Sequence, residues 1–331
     1  MIKRLSFVIV LLLQVVLIYA QTFQLGDLYY SIVQGTYGGT NEVSVHAPVS
    51  DEITEVTIPS TVQYNGVTYT VTRIKSSCFN KCLSLVDISI PSSVYMVGDF
   101  CFTKTAFFGD EKNWKDGMLI IDNILIFCKN TNSSALSIPD GIRVIADGAL
   151  ANREELTSIT IPSSVTSIGN DAFQNVWRLS EVRLPENLEF LGARAFQHSR
   201  MSSLSLPSTL KYIGIISFPW SLVETYKFDL YCPAAAPPLW TVTSSSQAEL
   251  GTSSYSSFDY KTITAHVPAS AMDSYNDTNT LWSFFTLVGD ITPVEDVKSV
   301  SEAGCRKVME NGIIYILRDG RRYNLLGTEV R

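Results

Sequence analysis

The sequence predicts a β-rich repeat solenoid of the α/β class, its coils stacked as a parallel strand ladder between β caps. Three observations predict it. An apolar-Pro pair recurs at Ile58-Pro59, Ile90-Pro91, Ile138-Pro139, Ile161-Pro162, Leu184-Pro185 and Leu206-Pro207, the last four spaced 23, 23 and 22 residues apart. A fixed period of this length is the mark of stacked structural repeats. Around each pair the same order of apolar positions returns, clearest in Leu156-Thr-Ser-Ile-Thr-Ile-Pro162-Ser-Ser-Val-Thr-Ser-Ile-Gly169-Asn-Asp-Ala-Phe173. Hairpin signals flank and interrupt the repeats, as ends and insertions of a solenoid require.

Composition narrows the function before any element is placed. The 331 residues carry 25 Lys+Arg, 32 Asp+Glu and 3 His, a formal charge of −7. An acidic chain without a basic block lacks the phosphate-neutralising cations of nucleic-acid binding. Three histidines argue against a multi-histidine metal centre.

Residues 1–20 read as a signal peptide. Lys3 and Arg4 precede an apolar run from Leu5 to Tyr19, too short to span a bilayer comfortably, ending at the small residue Ala20. Its removal would leave 23 basic residues against 32 acidic ones, a mature charge near −9. No later segment is apolar enough to span a membrane. Residues 21–52 are expected to form an N-terminal β cap, with strands at Asp27–Val33 and Glu42–Ala47 joined through Gly35–Thr40. Just beyond, Asn65-Gly66 is a hairpin turn signal.

Residues 53–220 form the solenoid proper. In Leu156–Pro162, alternation puts Ile159 and Ile161 inside and Ser158 and Thr160 outside, a short strand. Pro162 has no N–H and stops the ladder at the same point in each coil. Val165 and Ile168 return to the core, Gly169 suits a turn, and Ala172 and Phe173 fill the interior, with Leu150 in place of phenylalanine in the third coil. The longer intervals, 32 and 48, contain insertions. The second insertion, 106–134, holds a hairpin about Asp122-Asn123 within Met118–Phe127.

Residues 221–291 are expected to close the solenoid. A last strand runs through Tyr226, Phe228 and Leu230, is broken by Pro233, Pro237 and Pro238, and is followed by Thr262–Val267 and Trp282–Val288. Residues 292–331 read as a polar linker to Asn311 and a small hairpin of Ile313–Leu317 with Arg322–Leu326 about Asp319-Gly320.

The pattern L-x-x-I-x-I-P-x-x-V-x-x-I-G-x-x-A-F resembles the BspA-type leucine-rich repeats of bacterial surface proteins. The resemblance spans roughly Ile53–Trp220, with Lys75 and Ala146 replacing the turn glycine and Ser217 the alanine. It implies a right-handed superhelix with parallel strands on one face and irregular turns on the other. It also implies surface exposure and adhesion or recognition. The last residues, Asn311-Gly-Ile-Ile-Tyr-Ile with Tyr323-Asn-Leu-Leu-Gly327, are similar to the end of C-terminal sorting domains of secreted proteins. A retention signal and a small β appendage without that role both fit this tail.

Chemistry is sparse. Cys78, Cys82 and Cys101 fall at interior ladder positions and read as buried free thiols, since neighbouring ladder side chains point in parallel. Cys128, Cys232 and Cys305 have no evident partner. No nucleophile elbow, His-Glu-x-x-His or phosphate loop is present, so no catalytic residue, metal ligand or cofactor is expected. What remains is a surface. Alternation turns Glu55, Thr57, Asp87, Ser89, Ser137, Ser158, Thr160, Glu181, Arg183, Ser203 and Ser205 outward, a flat face of hydroxyls and a few charges. The expected role is an exported, non-enzymatic, adhesin-like protein that recognises a host or neighbouring-cell protein through this face. The alternative is a glycan-capture protein of the envelope, which calls for an exposed platform among Trp114, Trp220, Trp240 and Trp282.

Overall fold

A computed structural model describes residues 21–33, 41–129, 133–215, 217–218, 227–241, 263–276, 282 and 285–291. It adds the backbone strands at 305–310, 313–318, 321–323 and 329–330. The expected signal peptide, Trp220 and the 34–40 link lie outside these residues.

Each coil is built from the pattern read above. Ser158–Thr160 is a three-residue strand with Ile159 buried between exposed neighbours. It ends at Ile161-Pro162, where the proline has no N–H to donate to the ladder. The proline carbonyl then closes a tight turn, accepting from Val165 N at 3.1 Å, as Pro185 does from Leu188 N at 3.0 Å and Pro207 from Leu210 N at 3.1 Å. The chain turns back as a second strand, Ser167–Ile168, and returns through Ala172 and Phe173, both fully buried.

Stacking the coils makes two ladders. The first is made of three separate parallel sheets: Glu55–Thr57 with Asp87–Ser89; Ala135–Ser137 with Ser158–Thr160 and Glu181–Val182; and Ser203–Ser205 with Phe228–Tyr231, Ile263–Pro268 and Thr286–Ile291. The second runs in parallel through Ile124–Cys128, Val144–Ile145, Ser167–Ile168, Phe190–Leu191, Tyr212–Gly214 and Leu239–Thr241. Irregular turns opposite a single strand face were expected, and the second ladder replaces part of them. Its strands are two or three residues long, set by the neighbouring coil and not by any period of their own. Helix is confined to single turns such as Ala106–Gly109 and Met272–Tyr275, so the fold is β-rich and the α/β label overstates its helix.

The core lies between the ladders. Ile159, Val165, Ile168, Ala172 and Phe173 of one coil meet Val182, Leu188, Leu191, Ala195 and Phe196 of the next, all buried. The phenylalanines stack along the axis, Phe79 on Phe102 at 5.5 Å and Phe173 on Phe196 at 5.0 Å, each pair within 7° of parallel. Leu150 interrupts that column in the third coil.

The repeat glycine is present for a different reason from the one expected. Gly98, Gly169, Gly192 and Gly214 do not take the left-handed conformation; each lies directly on the backbone of the coil beneath. A Cβ on Gly169 would meet Asp147 N at 2.6 Å, and one on Gly192 would meet Gly169 O at 2.5 Å. Lys75 and Ala146 escape this constraint because no regular coil precedes them. Lys75 N bonds to Val45 O of the cap at 2.9 Å, and Ala146 N to Leu125 O of the insertion at 2.9 Å.

The cap and the insertion use the predicted hairpins. Thr61–Tyr64 pairs antiparallel with Val67–Ile74 about Asn65 and Gly66, both at positive φ, and Val67–Ile74 pairs in parallel with Glu42–Pro48. Met118–Ile121 and Ile124–Cys128 pair about Asp122, φ 53°, and the hairpin takes the second-ladder place beside the third coil. The second-ladder residues Val144, Ser167 and Phe190 are buried on their other side as well. Ser167 Oγ donates to Tyr95 O at 2.7 Å, and the Tyr95 ring lies 6.4 Å from Phe190.

Two further differences concern the C-terminal part. Phe228–Tyr231 is not a last strand, because Ile263–Pro268 and Thr286–Ile291 extend the same parallel ladder. The expected tail hairpin is a four-stranded antiparallel sheet of Cys305–Glu310, Ile313–Arg318, Arg321–Tyr323 and Glu329–Val330. Its first strand occupies part of the segment read as linker.

Candidate binding surface

The first ladder presents its outward side chains to solvent. Glu55, Thr57, Asp87, Ser89, Ser137, Ser158, Thr160, Glu181, Arg183, Ser203 and Ser205 are all exposed, while Ile88, Ile159, Val182 and Leu204 between them are buried. Register places Ser158 beside Glu181 and Ser203 beside Asp229 on neighbouring strands. Arg183 Nε and Glu181 Oε1 are 3.6 Å apart and more than half exposed, a pair of little energetic consequence.

The face extends beyond the residues read from sequence. Ser205, Tyr231 and His266 stand side by side on three strands, and Tyr231 stacks on His266 at 4.5 Å and 14°. His266 Nδ1 lies 2.8 Å from Asp290 Oδ2, and Nε2 lies 3.5 Å from Asp229 Oδ1. Burial, reinforced by Asp229 and Asp290, pushes the Tyr231 hydroxyl pKa up. The signal was present: Phe228 and Leu230 alternate with Asp229 and Tyr231, as Ile263 and Ala265 do with Thr264 and His266.

A second polar surface runs along the turns on the coil edge, held by hydrogen bonds between equivalent positions. Arg194 grips Asp171 with two bonds of 2.7 and 2.8 Å; Gln174 Nε2 donates to Gln197 Oε1 at 2.7 Å; Asn175 Nδ2 donates to Asn152 Oδ1 at 2.9 Å. Beyond them Trp177, half exposed, stacks on His198 at 4.8 Å.

The tryptophan platform does not form from the described members of the expected set. Trp282 is fully buried, with Trp240 half-buried at 5.1 Å from it. Trp114 packs edge-on to Phe108 and Phe127, donates Nε1–H to Phe108 O at 2.9 Å, and is covered by Lys129 Nζ at 4.2 Å from its ring centre. Aromatic side chains closing an insertion or a coil end are held inward by the area they bury.

The described cysteines are buried free thiols, Cys78, Cys82 and Cys101 at the interior positions their register implies. Burial pushes the Cys82 thiol to about 11 and the Cys101 thiol to about 12, and Cys101 Sγ–H donates to Lys75 O at 3.0 Å. Among the described residues no three His, Cys, Asp or Glu side chains gather into a metal-binding group.

The model of the BspA type leucine rich repeat region matches residues 49–109 and 123–229 in six copies. The chain belongs to the BspA-type leucine-rich repeat family. The gap in the match, 110–122, falls within the insertion that occupies the ladder before the third BspA-type coil. None of the curated proteins matches the chain. Among solved structures it is similar to the pneumococcal vaccine antigen PcpA, with 13% identity and a TM-score of 0.39, over 82% of this chain and 99% of that one. It is also similar to a leucine-rich repeat protein of T. pallidum, with 25% identity and a TM-score of 0.26, over 59% and 76% of the two chains. A leucine-rich repeat protein of Bacteroides ovatus matches with 17% identity and a TM-score of 0.27, over 74% and 70%. No helix among the described residues is long and apolar enough to cross a membrane.

Proposed function

We propose that the chain is an exported, surface-exposed, non-enzymatic protein that binds a host or neighbouring-cell protein through its first ladder. The exposed row from Glu55 to Ser205, continued by Asp229, Tyr231 and His266, carries this reading. Parallel strands about 4.8 Å apart hold these side chains in a fixed array, so a complementary surface binds without ordering loops. Hydroxyls and scattered charges suit a polar protein epitope, with Tyr231 and His266 as the aromatic anchor that hot spots favour. In this reading residues 1–20 are removed on export, the coils wind right-handed as parallel crossovers do, and the tail sheet retains the protein at the surface.

The test is saturable binding of purified residues 21–331 to intact host cells and to decellularised matrix. A variant carrying Ser158→Arg, Thr160→Arg and Ser203→Arg should keep its melting curve and lose binding. Absence of saturable binding at micromolar concentration, or undiminished binding by the variant, refutes the assignment. Digestion of the protein by protease on intact cells tests its exposure independently.

A further inference from the structure

Trp177 is the residue of the turn edge that packing does not explain. Its equivalents Leu83 and Glu154 are both exposed, so the position points outward and carries no core role. Tryptophan at this place is 49% exposed, although its large apolar area normally takes it inward. An exposed tryptophan held in one orientation is the kind of residue that dominates recognition surfaces.

A ladder of side chains fixes that orientation. One face of the indole lies on His198 of the next coil, ring centres 4.8 Å apart and 6° from parallel. His198 Nδ1 donates to Asn175 Oδ1 at 2.6 Å, and Asn175 Nδ2 donates to Asn152 Oδ1 at 2.9 Å. Asn152, Asn175 and His198 recur at 23 residues, each in the left-handed region with φ near 60°, which aims the three side chains alike. Because His198 covers the face toward the next coil, the other face of the indole looks back over the third coil, where Asn152 and Glu154 are exposed. Between those two, Arg153 turns inward to an interior position, 9% exposed, with its guanidinium 5.3 Å from the Phe127 ring centre. The ladder therefore stands on a filled interior.

The groups it offers outward are mostly uncharged. Arg194 holds Asp171 with bonds of 2.7 and 2.8 Å, and Arg178 Nη1 meets Glu155 Oε2 at 2.5 Å. Burial lowers the His198 pKa, which leaves the ring neutral at neutral pH. Each asparagine holds its neighbour through part of its amide, so both Asn152 Nδ2 hydrogens and one of Asn175 remain for an outside acceptor. Glu154 adds carboxylate oxygens that accept hydroxyl hydrogens. Asn152 also lines a cleft of about 450 Å3 between the second and third coils, so the row leads from the indole into a concavity. A matching ligand has a flat apolar face for the indole, neutral groups that both donate and accept, and an extended shape. A pyranose chain has all three.

We propose that the turn edge at Trp177 binds an uncharged glycan, at a site separate from the first ladder. One sugar ring lays its C–H face on the free face of the indole, and its hydroxyls bond to Asn152, Asn175 and Glu154.

The test is binding of purified residues 21–331 to an array carrying neutral glycans beside their sialylated and sulfated forms, followed by calorimetric titration with the best-retained neutral oligosaccharide. Neutral glycans should be retained, and acidic groups should not improve retention. Trp177→Ala should weaken binding at least about tenfold, and Asn152→Ala about tenfold. Trp177→Tyr should restore part of it. Both alanine variants change exposed side chains and should keep the parent melting curve. The variant with Ser158→Arg, Thr160→Arg and Ser203→Arg should bind the glycan as the parent does, which separates this site from the first ladder. Retention of no neutral glycan, preference for the sialylated or sulfated forms, or undiminished binding by folded Trp177→Ala would overturn the proposal.

Discussion

Replacing Gly192 by alanine should damage the solenoid out of proportion to one methyl group. The added Cβ would lie 2.5 Å from Gly169 O and closer still to the Gly169 carbonyl carbon and Asn170 N, all backbone atoms of the coil beneath. An ordinary carbon–oxygen approach is about 3.3 Å, so the coils must part locally by about 0.8 Å. Gly192 N donates to Ile168 O at 2.8 Å and Ala193 N to Asn170 Oδ1 at 2.8 Å. Stretched by that amount, neither remains a hydrogen bond. Overpacking costs about 1–3 kcal/mol, and each of the two buried bonds lost adds about 1 kcal/mol, giving roughly 3–5 kcal/mol. In calorimetry of residues 21–331 this corresponds to a fall in melting temperature of roughly 10 °C.

Ala146→Gly is the matched control. It occupies the same ladder position, but Leu125 of the insertion lies beneath it and the methyl group already fits, 2% exposed. Its removal should cost only about 1 kcal/mol, from lost burial and added chain entropy. A Gly192→Ala variant within about 0.5 kcal/mol of the parent, or an Ala146→Gly cost of equal size, would refute the stacking explanation.

Other consequences can be checked on the same material. Phe196→Ala should destabilise by about 3–5 kcal/mol and Phe196→Leu by about 1–1.5 kcal/mol in urea denaturation, since Leu150 already serves at the equivalent position; similar costs would contradict the column packing. The thiols of Cys78, Cys82, Cys101, Cys128 and Cys232 should resist Ellman's reagent at pH 8 until the chain is unfolded, as peptide mapping of the labelled protein would show. Asp147 is pushed up to about 7 by burial, against the Asn170 hydrogen bonds and with the Asp99 and Asp171 carboxylates adding. That lies above the unfolded carboxylate value of about 3.9, so the folded chain holds the proton more tightly. The stabilisation is complete below about pH 4 and lost as pH rises through about 7. Between pH 4 and 7.5 the parent should lose roughly 3–4 kcal/mol relative to Asp147→Asn, and parallel pH profiles would contradict this.

The first ladder was legible because Pro and alternation mark it independently: Ile161-Pro162 fixes where the strand stops, and Ser158 and Thr160 fix which side faces water. The hairpins at Asn65-Gly66 and Asp122-Asn123 were legible through turn chemistry. The second ladder was not, since two residues such as Val144–Ile145 or Ser167–Ile168 have no period, and their pairing depends on the coil next to them. Cys305–Glu310 was missed because Arg306, Lys307 and Glu310 made it read as polar linker; only pairing with Ile313–Arg318 defines it as a strand. Arg153 was passed over for a related reason. Its sequence neighbours Glu154 and Glu155 suggest a solvated turn, and only register against Val176 shows that its side chain enters the interior.

Three departures from the repeat fall together. Ala146 for glycine, Leu150 for phenylalanine and Arg153 for an apolar residue all fall in the third coil, the one stacked on the insertion and not on another regular coil. A repeat constrains each coil through its neighbour beneath, through glycine where the backbones touch and phenylalanine where the rings stack. The hairpin Met118–Cys128 replaces that neighbour with a different surface, Leu125 under Ala146 and Phe127 against Arg153. The rule that fixes residue type in the other coils is therefore suspended in the third. An interior arginine there disrupts no column of stacked side chains, and Phe127 of the hairpin covers its guanidinium at 5.3 Å.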